Sequence, residues 1–216
     1  MKIYWIKAQA PRRVLALVKH LGIDAELIEM TPNSRMKTAD YMAFNPNGNA
    51  PTLVDGDFVL WESSAINSYL CIKAGSDMWP ANDPAGQVQV LRWLSWADQH
   101  WNRAVGPYYF EHVVKPTFAI GAPDRSVLPD AEPALRKHAA VLDGWLQGKS
   151  FVALDRLTIA DFQLASMATY WRTAEMPLED YPNIVRWLDG LMALPGWASP
   201  WPGQEDVFLR RAAVQA

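Results

Sequence analysis

The sequence predicts an α/β domain of order βαβαββα followed by an all-α helical bundle domain. Three observations carry this. A strand-helix-strand alternation occupies residues 2–30, an Asp-Gly pair separates two short apolar runs at residues 53–60, and beyond Ala85 only helix-length apolar periodicities remain. The expected boundaries are residues 1–76 for the first domain, 77–84 for a linker and 85–216 for the second domain.

Lys2 to Ile6 has the composition of a strand. Arg12 to Leu21 reads as a helix whose Val14, Leu15, Leu17, Val18 and Leu21 form an apolar stripe closed by Gly22. Ala25 to Met30 is a second strand, and the order favours a parallel pair with a right-handed crossover. Arg35 to Phe44 is a weaker helix. Leu53 to Leu60 is a hairpin turning at Asp55-Gly56, and Glu62 to Lys73 closes the domain as a helix. Pro80 and Pro84 mark the linker.

In the second domain the helical segments fall at about 85–114, 130–148, 158–174 and 182–193. Pro107 is expected to kink or break the first, because proline lacks an amide donor and collides with the preceding turn. Thr158-Ile159-Ala160-Asp161 fits a capping box with Asp in place of Glu or Gln, and Leu157 with Phe162 suits a hydrophobic staple. This is a folding device, worth about 1 kcal/mol for the cap.

Composition excludes several classes. The chain has 216 residues, half of them hydrophobic, enough for a packed interior. A net charge of −3 without Lys/Arg clusters argues against nucleic acid and anionic membrane partners. Residues 1–7 hold too few apolar side chains before the next charge for a signal-peptide core or a membrane span, so a cytoplasmic location is expected. Cys71 has no partner for an internal disulfide. His20, His100, His112 and His138 show no metal-ligand spacing, and no metal is expected.

The chemistry concentrates in Asn45-Pro46-Asn47-Gly48-Asn49-Ala50-Pro51-Thr52-Leu53 and, shortly after, Trp61-Glu62-Ser63-Ser64-Ala65-Ile66. Ala50-Pro51, between a turn-rich loop and a strand, is where a cis bond presents the Ala50 backbone for pairing. Glu62 and Ser63 put a carboxylate and a hydroxyl at a helix N-terminus, whose free amides favour an anion while the carboxylate takes an ammonium group. The ligand this describes is a small zwitterionic peptide.

These residues resemble the glutathione-binding half of the glutathione S-transferase family. Leu157-Thr158-Ile159-Ala160-Asp161-Phe162 and Tyr181-Pro182-Asn183-Ile184-Val185-Arg186-Trp187 are similar to that family's second-domain landmarks. The resemblance implies a thioredoxin-like first domain and a helical second one, in a cytosolic homodimer that uses glutathione as co-substrate. It implies that Ala50, next to Pro51, pairs with the cysteinyl part of glutathione and that Glu62 and Ser63 hold its γ-glutamyl end, with Asn49 completing the set. The implied reaction is attack of the glutathione thiolate on a small apolar electrophile. Isomerisation, dehalogenation, ether cleavage and peroxide reduction start from the same thiolate. A non-catalytic glutathione- or hydrophobe-binding protein and a protein-interaction scaffold are the readings from other classes.

Activation means lowering the thiol pKa. A free thiol near about 8.5 is only roughly 3% thiolate at pH 7, and a two-unit fall corresponds to about 2.7 kcal/mol. The family's usual donor is a Tyr, Ser or Cys near the start of the first helix. Setting Arg13-Val14 and Gly22 against the comparable family residues puts Ala8, Gln9 or Ala10 there, and none is a hydroxyl or thiol donor. Nor is there a C-x-x-C for dithiol chemistry. The replacements are a backbone amide of Gln9 or Ala10, the Gln9 carboxamide, or the Arg12 guanidinium, with Tyr4 as the remaining phenol. Arg13 is expected to anchor the helix, and Cys71 to sit in the core. The electrophile pocket is expected at Trp101, Tyr108 and Tyr109, with Trp93 and Trp96 in the core or a subunit interface. Asp98 is expected as a solvated charge, with the glutathione of a partner subunit as its other role.

Overall fold

The computed structural model describes residues 1–30 and 36–209. In β1 (Lys2–Trp5) the side chains alternate, Ile3 and Trp5 pointing into the interior and Lys2 to solvent. This strand pairs in parallel with β2 (Glu26–Glu29) and antiparallel with β3 (Thr52–Asp55), which pairs antiparallel with β4 (Phe58–Trp61), giving the sheet order β2-β1-β3-β4. The parallel pair requires a crossover, supplied by α1 (Gln9–Leu21). Its apolar stripe is buried, and it ends at Gly22, whose φ of 63° allows the left-handed turn that returns its N–H to Lys19.

α1 starts three residues earlier than the sequence pattern suggests. Pro11 sits in its first turn, where a missing N–H costs no hydrogen bond. The weaker helix is α2 (Ala39–Phe44), with Thr38 accepting the Tyr41 N–H at its N-terminus. The expected start at Arg35 lies outside the described residues. β3 and β4 are joined by Gly56-Asp57, Gly56 taking a positive φ. α3 (Ser63–Ala74) completes the βαβαββα order.

α4 (Pro84–Trp96), α5 (Asn102–Tyr109) and α6 (Lys115–Phe118) follow one another through two π turns, Ala97–Trp101 and Phe110–Val114. No break occurs at Pro107, which stays inside α5. The helix widens on either side instead, Asn102 N–H bonding to Ala97 O and Lys115 N–H to Phe110 O.

The bundle is completed by α7 (Leu128–Leu146), α8 (Ile159–Ala168), α9 (Pro182–Met192) and the short α10 (Pro195–Ala198). Every residue of α8 is buried, which makes it the axis of the domain. It ends earlier than the predicted 174, in a run of turns. Its capping box is present, and Asp161 does more than cap. The carboxylate accepts from the Thr158 N–H and hydroxyl, the Val152 N–H and the Trp187 indole, tying three segments together.

The two domains share one apolar core. Trp197 of α10 packs on Phe162 of α8 with ring centres 4.6 Å apart, and the Arg12 guanidinium of α1 lies 4.6 Å from the same indole. Residues 199–209 then run back to the first domain, where Trp201 stacks on Trp5.

Candidate functional site

A cavity of about 390 Å³ opens where the N-termini of α1 and α3 and the turn before β3 face the α4–α5 rod. Among the residues expected to bind glutathione, Asn49, Ala50, Pro51, Glu62 and Ser63 all line it. So do Gln9 and Ala10 from the expected activation segment.

The loop before β3 is held from below. The Ala50-Pro51 bond is cis. Asn45 Nδ2 and Tyr41 OH both donate to the Asn49 carbonyl, at 2.8 and 2.7 Å, and Asn45 Nδ2 also reaches Thr52 Oγ1. Asn45 Oδ1 accepts the Asn47 N–H, the Asx turn that an Asn-Pro-Asn-Gly run favours. The sequence marks Asn45 and Thr52 only as part of this segment, and nothing local marks Tyr41, whose hydroxyl arrives from α2.

At the other wall, Glu62 precedes α3 with φ 70°, an uncommon left-handed conformation for a residue with a side chain. Strain of this kind gathers at functional sites, and here it leaves Glu62 exposed at the cavity while Ser63 is buried. Ser63 Oγ accepts from Arg13 Nε at 2.7 Å. Burial pulls the Arg13 guanidinium down to about 10, while the charges of Asp98 and Glu62 hold it up, so it stays cationic at neutral pH.

The arginines exchange the roles expected for them. With α1 beginning at Gln9, residues 9 and 13 are one turn apart on the same face, so Arg13 lines the cavity with Gln9. Arg12 turns away. It is fully buried, donates to the Trp197 carbonyl and stacks on Trp197 and Tyr170, so it does not contact a bound sulfur. Tyr4 is corrected as well. Strand alternation puts it against Tyr41 and Phe44, away from the cavity.

At the α1 N-terminus, Ala8 offers no side-chain cap. The Gln9 backbone amide faces the Tyr109 hydroxyl, Pro11 has no N–H, and Arg12 N–H bonds to Ala8 O. Ala10 N–H is the first-turn amide without a protein acceptor among the described residues. Gln9 Oε1 accepts from Ser166 Oγ at 3.3 Å, which orients the carboxamide and leaves its NH₂ as a donor at the cavity.

The expected electrophile residues are in the core. Trp101 is fully buried and donates its indole N–H to Leu164 O, and Tyr108 and Tyr109 are almost fully buried, so none lines the cavity. The helical-domain wall consists of Asp98, Asn102 and Gln163. Asp98 Oδ1 accepts from Gln163 Nε2 at 2.7 Å and Asn102 Nδ2 at 3.0 Å, and Ser64 Oγ donates to Gln163 Oε1, a chain joining the two domains. No local pattern marks these residues, since the chain forms only when α3, α4–α5 and α8 meet. Cys71 is buried, and desolvation pushes its thiol up to about 12, so it is no nucleophile at neutral pH. Among the described residues no group of three or more His, Cys, Asp or Glu could hold a metal ion, and no helix is long and apolar enough to cross a membrane.

The fold class is a thioredoxin-like domain whose α3 N-terminus stands beside a cis-proline turn at a cavity closed by a helical domain. Residues 10–72 match the family model described as glutathione S-transferase, N-terminal domain, and residues 94–195 match the glutathione S-transferase C-terminal domain. The chain is 31% identical over 194 residues to glutathione S-transferase 3 of Zea mays, covering 86% of this chain and 85% of that protein. It also resembles the theta-class glutathione S-transferase of Xanthomonas axonopodis pv. citri solved with glutathione bound, at 26% identity and a TM-score of 0.79, over 91% of this chain and 94% of that one. The glutathione S-transferase I from maize, in complex with an atrazine glutathione conjugate, is similar at 25% identity and a TM-score of 0.80, over 90% and 93%. The chain belongs to the glutathione S-transferase family.

Proposed function

We propose that the protein is a glutathione transferase that seats glutathione in the cavity between α1, α3 and the Ala50-Pro51 turn and directs its thiolate at a small electrophile. The observation that carries this is the convergence of Asn49, Ala50, Pro51, Glu62, Ser63, Gln9 and Ala10 on one cavity. The Ala50 backbone pairs with the cysteinyl unit. The α-carboxylate of the γ-glutamyl end sits at the α3 N-terminus by Ser63, with the Arg13 charge behind it, and Glu62 takes the ammonium. The Ala10 amide and the Gln9 NH₂ then face the sulfur. Neither accepts a proton, so they act by stabilising the thiolate, as a helix N-terminus does.

Other reactions of the same thiolate, isomerisation, peroxide reduction or ether cleavage, need no different site. The absence of a side-chain hydroxyl at Ala8 favours one second reading, a glutathione or hydrophobe carrier without turnover. Ultraviolet thiolate absorbance of bound glutathione against pH separates them. A midpoint well below that of free glutathione is expected, with conjugation faster than the solution reaction across a panel of electrophiles. An undisplaced midpoint removes the catalytic reading.

The reading includes a cytoplasmic homodimer. Phe58, Ile72, Val88 and Leu91 are exposed apolar side chains on β4, α3 and α4, the kind of surface a second copy covers. Light scattering is expected to give twice the chain mass. A monomer at micromolar concentration removes the dimer.

A further inference from the structure

Two buried charges lie behind α1, outside the cavity. Arg12 Nη2 donates to the Trp197 carbonyl at 2.8 Å, and the guanidinium lies over the rings of Trp197 and Tyr170. Its Nε and Nη1 have no acceptor, and it forms no ion pair among the described residues. Asp206, on the segment returning to the first domain, is 7% exposed. One of its oxygens accepts from the Tyr170 hydroxyl and the Trp201 indole, and the other has no donor among the described residues. The Arg12 guanidinium lies 5.4 Å from the Tyr170 ring whose hydroxyl Asp206 accepts, and the Tyr109 ring, 5.5 Å from that of Tyr170, feels both charges and turns its hydroxyl toward the Gln9 backbone amide. Among the described residues the charges at this segment's edge are Lys7, whose ammonium lies over the Trp201 ring and donates to Glu205 O, Glu205 itself, and Glu29, which accepts from Gln204.

A buried cation without a directly paired carboxylate is costly to keep, and in a low-dielectric interior its field reaches farther than in water. Arg12 is three residues from Gln9, about 4.5 Å along the helix axis. Its charge therefore adds to the positive end of α1, the end that lacks a hydroxyl donor. The Asp206 carboxylate, one tyrosine away, subtracts from it.

We propose that Arg12 and Asp206 are a pair of positioning charges for the reaction: Arg12 favours the thiolate of glutathione seated at the α1 N-terminus, and Asp206 moderates that field through Tyr170. This rests on the glutathione reading above. A purely structural pair would predict that losing either member disorders the site in the same direction. The electrostatic role predicts opposite directions.

The experiment is the thiolate absorbance of glutathione bound to the intact protein, titrated against pH in wild type, Asp206→Asn and Arg12→Met. Asp206→Asn removes a negative charge and is expected to lower the midpoint by about half a unit or more, and Arg12→Met to raise it. Near-ultraviolet circular dichroism reports whether each variant is folded. If Arg12→Met does not fold, Asp206→Glu takes its place, and restoring the charge is expected to return the midpoint to the wild-type value. An unmoved midpoint in folded Asp206→Asn, or shifts of the same sign in Asp206→Asn and Arg12→Met, overturns the proposal. A wild-type midpoint no lower than that of free glutathione overturns the activation reading and this proposal with it. A depressed wild-type midpoint that Asp206→Asn leaves in place removes the charge pair alone.

Discussion

Ser63 shows how much one hydroxyl does at this site. It is buried at the first position of α3 and is the acceptor for Arg13 Nε. Arg13 Nη1 already lacks a partner among the described residues, so Ser63→Ala leaves two unpaired donors on one buried cation. Its expected effect is a loss of about 1 to 3 kcal/mol in glutathione binding, read by titration calorimetry. Unchanged affinity would place the γ-glutamyl carboxylate elsewhere. The exchange between Arg12 and Arg13 belongs to the same scale. The two residues are chemically identical and adjacent, and a helix turns adjacent side chains by about 100°, so the rotation of α1 decides which arginine lines the cavity.

Among the elements, α8 is the most dependent on a single side chain. Burial raises the Asp161 carboxyl to about 6, against the pull of the Val152 and Thr158 amides, the Trp187 indole and the Thr158 hydroxyl. An unfolded aspartate titrates near about 3.9, so between these values the folded state binds more protons than the unfolded one. The stability this group contributes is therefore full below about pH 4 and is lost as pH rises through about 6. Relative to Asp161→Asn, the wild type is expected to lose on the order of 2 kcal/mol between pH 4 and pH 7 in urea denaturation. A pH-independent difference would mean that the four donors hold the carboxylate ionised throughout. The capping box itself was legible from Thr158 and Asp161. The bonds to Val152 and Trp187 were not, because those partners come from outside the local turn.

In the whole molecule, the shape of the cavity depends on how the helical domain is set against α1. Gly196 marks that contact, since a Cβ there would stand 2.9 Å from Ala16 O and 3.0 Å from His20 N, both backbone atoms of α1. Gly196→Ala is expected to cost about 1 to 3 kcal/mol of stability and to weaken glutathione binding by displacing α1. A variant as stable as wild type would show that α10 can withdraw freely. The order of elements and the cis-proline turn that lines the cavity were readable from the chain because they are local. Apolar spacing sets helix and strand, Asp-Gly sets the hairpin, and Asn-Pro-Asn-Gly-Asn-Ala-Pro followed by Glu-Ser sets two segments that line the cavity. What faces the sulfur, what walls the cavity and what stays in the core were decided only by packing. Trp101, Tyr108 and Tyr109 are the size and polarity of pocket residues, yet all three are buried, Trp101 against α8, Tyr109 against Tyr170 and Tyr108 on the side of α7, and Asp98, Asn102 and Gln163 take the wall. Side-chain chemistry fixes what a residue can bind, but whether it meets the ligand depends on the rotation of its helix against neighbours distant in the chain.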